Sequence, residues 1–217
     1  LSAWGWTPDR DGTLPEGTAP ARVARVDRGR LRVLTADGER TAVPGAGLRD
    51  DSGFGAPAVG DWVALRGELA VALLPRRSAF TRTVAGRTSG AQVVAANLDT
   101  VLVVDALGGP ARPRRVERYL AVAWSSGATP VVVLTKADLC DDVDAAVREV
   151  AEDALGVEVP AVSSATGEGL AAVRALVGPG RTVAMVGPSG VGKSSLVNAL
   201  AGELVADTRE IREDGRG

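Results

Sequence analysis

Gly187-Pro188-Ser189-Gly190-Val191-Gly192-Lys193-Ser194 is the stretch from which the rest of the chain can be read. It fits G-x-x-x-x-G-K-[ST], in which the glycines let the backbone curl until successive N–H groups converge on phosphate oxygens. Thr182 to Val186 reads as a strand entering the loop, and a helix bearing Leu196 and Leu200 leaves it. The positive end of that helix favours an anion. Lys193 is placed to bridge the outer phosphates of a nucleotide and the Ser194 hydroxyl to ligate Mg²⁺, with Ser195 also counted among the contacts.

Lysine usage leads to a second element. The chain has 23 arginines but only two lysines, Lys136 and Lys193. Lys survives where a compact, rotatable ammonium is needed and the planar fork of Arg cannot replace it. Lys136 lies in Thr135-Lys136-Ala137-Asp138, directly after a buried apolar run. The Asp138 carboxylate can accept two hydrogen bonds from guanine N1–H and its 2-amino group. Adenine offers no such donor pair and would leave the charge unpaired. The Lys136 stem can lie over the purine face. Ser163-Ser164-Ala165, ahead of Thr166-Gly167-Glu168-Gly169, can present the Ala165 N–H to guanine O6. Both base-reading elements precede the phosphate loop, the reverse of an ordinary GTPase.

The chain around these motifs alternates strand and helix. Thr100 to Val104 is a continuous apolar strand, and Pro113 opens a helix with Val116, Tyr119, Leu120, Ala123 and Trp124 on one face. Arg114, Arg115 and Arg118 fall on the opposite face, which predicts solvent exposure. Pro130–Leu134 is the next strand, and Asp141 and Asp142 start a helix with Val143, Val147 and Val150 aligned. Val159–Val162 makes a strand and Leu170–Val177 a short helix. Such alternation predicts a mostly parallel sheet with ligands at the strand carboxyl ends.

Upstream the pattern is all-β. Five short segments between 21 and 75 are separated by turn residues such as Asp27-Arg28-Gly29, Asp37-Gly38 and Gly60-Asp61, and predict a small closed barrel. An oligonucleotide-binding (OB) type is the natural candidate, although periodicity does not separate it from an SH3-like barrel. Residues 1–20 read as an irregular arm in which Trp4 and Trp6 pin the arm to the barrel. Residues 21–90 hold the barrel and a basic connector with Arg76, Arg77, Arg82 and Arg87, expected as a mobile linker or loop. Residues 91–217 form the nucleotide domain.

Composition narrows the chemistry. The chain lacks histidine and has one cysteine, Cys140, so it holds no Cys/His zinc site, histidine acid–base pair or internal disulfide. No apolar run is long enough to span a bilayer and no leader opens the chain, which predicts no membrane association. Residues 1–90 carry a net charge of +3 and residues 91–217 of −5.

The order TKAD, SSATGEG, GPSGVGKSS resembles the circularly permuted GTPases, and in particular the ribosome-small-subunit-dependent GTPase family. The Gly60-Asp61-Trp62-Val63 segment and the Ala95-Ala96-Asn97-Leu98-Asp99 entry are similar to that family's. Thr135 stands where many members carry Asn, and its hydroxyl can still hydrogen-bond. The resemblance implies an OB-type barrel followed by an α/β permuted P-loop GTPase domain, incomplete here, that binds GTP or GDP with Mg²⁺. It also implies a cytoplasmic role in late maturation of the small ribosomal subunit, with that subunit and its rRNA as partners and a monomeric state. Zinc is expected only in a C-terminal domain absent from this chain. Ile211 to Gly217 resembles the lead-in to the first switch, so the catalytic residue is expected beyond Gly217. Asp214 to Gly217 matches D-x-x-G literally, but no buried strand precedes it and it is set aside. Two rivals remain: a GTP-gated RNA-binding or assembly protein with negligible turnover, and an ATP-using P-loop enzyme.

Overall fold

The computed structural model describes residues 1–48, 55–84, 90–108, 113–154, 156–203 and 205. Arg87 of the basic connector and the stretch 211–217 fall outside the described residues. Contacts divide the chain into two compact units, and neither is a continuous stretch. One comprises Leu1–Asp99, Ser125–Ala128 and Pro179–Thr182, and the other Thr100–Trp124, Thr129–Gly178 and Val183–Gly217.

The first unit is built on β1 (Ala19–Asp27), β2 (Arg30–Thr35), β3 (Gly38–Pro44), β4 (Trp62–Arg66) and β5 (Leu69–Leu73). They close in the order β1-β2-β3-β5-β4, with β1 pairing β4 antiparallel and β3 meeting β5 in parallel. That closed five-stranded order is the OB-type barrel, which resolves the choice left open by periodicity. Alternate residues point inward, so Ala21, Val23, Leu31, Val33, Ala42, Val63, Leu65 and Ala70 fill the interior. Each fully buried Val or Leu contributes roughly 1.5–3 kcal/mol of transfer free energy.

Trp62 faces away from that core, wholly buried with Ala64 and Leu74, and Trp6 of the arm meets it edge-on at 4.8 Å. The arm is therefore pinned by Trp6, whereas Trp4 is half-exposed. The expected linker is largely ordered structure. β6 (Ala79–Val84) pairs antiparallel with β7 (Gly90–Ala96), Arg82 reaches its cross-strand partner Gln92, and Ala79 packs against buried Ala58, Val93 and Ala96. Arg76 is an ion-pair partner rather than a free cation, holding the fully buried Asp61 carboxylate at 2.6 Å.

The second unit carries a parallel sheet of β8 (Thr100–Ala106), β9 (Thr129–Thr135) and β10 (Val183–Val186), in the order β10-β8-β9. Helices α1 (Pro113–Ser125), α2 (Val143–Asp153), α3 (Leu170–Leu176) and α4 (Lys193–Ala201) alternate with the strands. The first six residues of β8 and the last six of β9 are buried, as strands covered on both faces must be. The segment 158–162 follows β9 only through isolated bridges rather than as the full strand expected. Pro160 is the cause. Its carbonyl accepts from Leu134 N, and Glu158 O and Val162 N bond β9 on either side, but proline has no N–H to complete the ladder.

On α1, Val116, Leu120 and Ala123 are buried, but Trp124 is 52% exposed, against expectation. Among the described residues no helix is long and apolar enough to cross a membrane.

Candidate functional site

The loop from Gly187 to Gly192 leaves the carboxyl end of β10 and runs into α4, with Gly192 as the N-cap residue. Gly187 is held at φ 150°, and a Cβ there would lie 2.1 Å from the Val104 carbonyl oxygen of the adjacent strand. Only glycine fits, so the close packing of β10 on β8 sets the start of the loop. Gly190 and Gly192 also have positive φ, at 80° and 89°. Lys193 Nζ donates to the carbonyls of Gly187 (2.9 Å) and Pro188 (2.5 Å), folding its ammonium over the loop. Burial lowers its pKa below the usual lysine value. Ser194 is half-buried in the first helical turn, whereas Ser189 and Ser195 are exposed.

Thr135, at the end of β9, is 2% exposed and donates its hydroxyl to Val191 O at 2.5 Å, with Asp105 O at 3.1 Å. A side chain of the first base-reading element thus holds the phosphate loop from 56 positions away. The Thr135 hydroxyl makes a polar contact that braces the phosphate loop. Lys136 follows in the left-handed region at φ 61°, uncommon for a residue with a Cβ. That turn redirects the chain so that Ala137 N donates to Val162 O and the Asp138 carboxylate reaches the next loop. Asp138 Oδ1 accepts from Ser163 Oγ at 2.5 Å.

Ser163 is fully buried, and its hydroxyl oxygen accepts from Ala165 N (3.2 Å) and Thr166 N (3.1 Å). The Ala165 amide, expected to face a ligand, makes this long bond in the structure and can share it. Ser164 is half-buried beside it. All three loops leave the carboxyl side of the parallel sheet, where an open α/β sheet carries its ligands.

Sequence reasoning missed one member of this neighbourhood. Asp105, buried near the end of β8, is gripped by Arg115 through both carboxylate oxygens at 2.6 and 2.7 Å. Arg115 is therefore not on the solvated helix face. Its partner lies on a preceding strand, and the only available signal was an acid inside an apolar strand.

A magnesium ion fits these residues in one way. Among the described residues no group of three His, Cys, Asp or Glu side chains can hold a metal. Mg²⁺ would take much of its shell from nucleotide phosphates and water, and the Ser194 hydroxyl would be its protein contact.

Comparison with known proteins gives concordant matches. The RsgA GTPase family model matches residues 73–217. The small ribosomal subunit biogenesis GTPase RsgA of Streptomyces coelicolor is 42% identical, over 100% of this chain and 62% of the relative. RsgA 2 of Lactiplantibacillus plantarum, of the same description, is 40% identical over 94% of this chain and 60% of its own length. Among solved structures, YjeQ from Thermotoga maritima superposes with a TM-score of 0.67 at 25% identity, covering 84% of this chain and 65% of that one. YloQ, described as a circularly permuted GTPase, has a TM-score of 0.63 at 22% identity, covering 85% and 64%, and speaks to the fold alone. The chain spans about six tenths of the length of these curated relatives.

Proposed function

This chain belongs to the RsgA GTPase family, and on that premise we propose that it is the barrel and nucleotide-binding portion of a GTPase acting in late maturation of the small ribosomal subunit in the cytoplasm. The observation that carries the reading is the pair of side-chain bonds joining three loops: Thr135 to Val191, and Ser163 to Asp138. They couple the reader of a base to the cradle of its phosphates.

In this reading the amides of Gly187 to Gly192 and the Lys193 ammonium hold the phosphates. Ser194 contacts the magnesium that travels with them, and Ser195 lies beside the same turn. Asp138 selects guanine, the Lys136 stem covers the purine, and the Ser163–Ala165 turn offers an amide to O6. The mildly basic barrel unit supports rRNA as partner through the phosphate backbone. The chain spans about six tenths of the length of its curated relatives, so GTP turnover is proposed for the whole protein.

Calorimetry tests the nucleotide assignment. GDP is expected to bind and ADP not, and Asp138→Asn should cost at least about tenfold in GDP affinity while admitting xanthosine diphosphate. Unchanged GDP affinity would remove Asp138 from the site. Sedimentation of the full-length protein with purified small subunits tests the partner. Binding should be favoured by a non-hydrolysable GTP analogue over GDP and weakened by salt. A multiple-turnover phosphate-release assay separates the enzyme from a GTP-gated assembly protein that hardly turns over.

A further inference from the structure

Two arginines of the first unit are buried with only neutral groups accepting their hydrogen bonds. Arg10 and Arg22 are 5% and 6% exposed. Arg10 donates to Pro75 O at 3.1 Å and Asn97 Oδ1 at 2.9 Å, and its Nε–H is buried with no hydrogen-bond partner. Arg22 donates to Thr182 Oγ1 at 2.7 Å and Asn97 O at 3.3 Å, and lies 5.0 Å from the centre of the Trp62 ring. Every acceptor is neutral, and among the described residues neither guanidinium forms an ion pair. The contrast lies within the same chain, where buried Asp61 and Asp105 each hold an arginine. A buried charge without a counter-charge is costly, and folds rarely keep two of one sign together unless something of the other sign joins them.

Both side chains line one cavity of about 370 Å³, together with Arg77, Arg181, Asn97 and Asp99. That volume lies in the range of small-ligand sites. Asp99 is the one acid of the lining. Its carboxylate already accepts from Thr182 N at 2.7 Å and lies 3.6 Å from Arg181, so it offsets one charge of four. Arg77 is tied outward to Asp9. Asn97, at φ 53°, binds Arg10 and the Arg77 amide through its Oδ1 and Gly60 O through its Nδ2, which fixes the wall.

We propose that this arginine-lined cavity is a second anion site, separate from the phosphate loop, that takes a phosphate group. Guanidinium forks match phosphate oxygens in pairs, and with Asp99 and Asp9 set against the four arginines an excess of two positive charges remains to suit a phosphate dianion. The electrostatics agree. Burial, and then the neighbouring Arg10, outweigh the pull of Asp99 and Asp61 and bring the Arg22 pKa down to about 10, and burial and then Arg77 outweigh Asp9 and lower that of Arg10. An entering anion relieves both.

The phosphate group can be a free small anion or belong to an RNA strand, and one experiment addresses both. The chain is saturated with GDP and Mg²⁺ to fill the phosphate loop, then titrated with inorganic phosphate against chloride at matched ionic strength. Thermal unfolding and phosphorus NMR line width are followed. A saturable rise in Tm with phosphate alone is expected. Arg22→Gln should abolish it, and the mouth variant Arg77→Gln/Arg181→Gln, at two half-exposed or more exposed positions, should weaken phosphate by roughly tenfold or more. The mouth variant carries the test if Arg22→Gln does not fold. Lys193→Ala should leave the response intact. A short oligoribonucleotide displaced by phosphate from the chain, but not binding the mouth variant, assigns the group to RNA; no such displacement assigns it to the free anion. No saturable response, or a response that survives the mouth variant and disappears in Lys193→Ala, overturns the proposal.

Discussion

The Thr135 hydroxyl is the smallest part of the site on which the rest depends. It is the donor that fixes Val191 O, and Val191 is itself buried in the phosphate loop. Thr135→Val keeps the shape and β-branching but leaves that carbonyl short of a donor, a loss of about 1–3 kcal/mol. The expected result is that much lost stability in chemical denaturation and about tenfold weaker GDP binding in calorimetry, because the loop amides are no longer held in register. Stability lost with GDP affinity intact would make the bond structural only. Titration supplies a second residue-scale prediction. A hydrogen bond from Thr7, then that from Arg77, lowers the Asp9 pKa from 3.8 to about 2. Because the folded value is depressed, the stabilisation is present above pH 3.8 and is lost as pH falls toward 2. NMR of the Asp9 carboxyl should give a midpoint near 2, and Arg77→Gln should move it toward the ordinary value. The reach of sequence reasoning differs between these residues. Lys193 and Lys136 stand out because the chain uses lysine nowhere else, and Thr135 because it opens the four-residue element that holds Lys136. Asp105 and Arg115 do not, since a charge-paired arginine and a solvated one look alike until the fold brings the strand to the helix.

Elements were legible where a local signal marks both ends. Asp142 is such a signal: it precedes Val143, and its Oδ1 accepts from Ala145 N at 2.9 Å as the N-cap of α2. Asp142→Ala should cost about 0.5–2 kcal/mol of stability and leave GDP affinity unchanged, since the cap serves the helix and not the loops. Urea unfolding beside calorimetry checks both halves, and a matching loss of GDP binding would mean that α2 positions the Asp138 loop. The elements misread from sequence fail for opposite reasons. The segment 158–162 has the composition of a strand, but Pro160 removes one donor of its ladder. The β6–β7 hairpin has the composition of a linker, because its arginines and small residues carry little apolar alternation. It is made by cross-strand pairs such as Arg82 with Gln92 and by the packing of Ala79. Trp124 shows the limit of helical periodicity. It continues the buried spacing of Val116, Leu120 and Ala123, yet is exposed where α1 nears its end.

At the scale of the molecule, the first unit is completed by pieces of chain that no linear reading assigns to it. Ser125–Ala128 and Pro179–Thr182 belong with Leu1–Asp99, although they are separated from it by stretches of the parallel-sheet unit. Their contribution is specific. Ala79 N donates to Ser126 O at 2.9 Å, Asp99 N to Thr182 O at 2.8 Å and Gly180 N to Ala3 O at 2.9 Å, while the barrel interior draws its buried residues from Ala21 to Ala70 alone. Turn residues spaced along one stretch announce a barrel, but a turn donated from far downstream, as Thr182 is to Asp99, leaves no periodic trace. A fragment ending at Asp99 separates the two contributions. It retains every buried residue of the barrel interior and loses the acceptors for Ala79 and Asp99. Hydrogen exchange on that fragment should therefore find the amides of β1 to β5 protected as in the whole chain, with those of Ala79 and Asp99 exchanging about tenfold faster or more. Arg22 should lose its bond to Thr182 in the same fragment, so the response to phosphate should fall with it. Protection lost throughout β1 to β5 would mean that the returning segments hold the barrel itself. Protection unchanged at Ala79 and Asp99 would mean that the returning segments do not secure those amides.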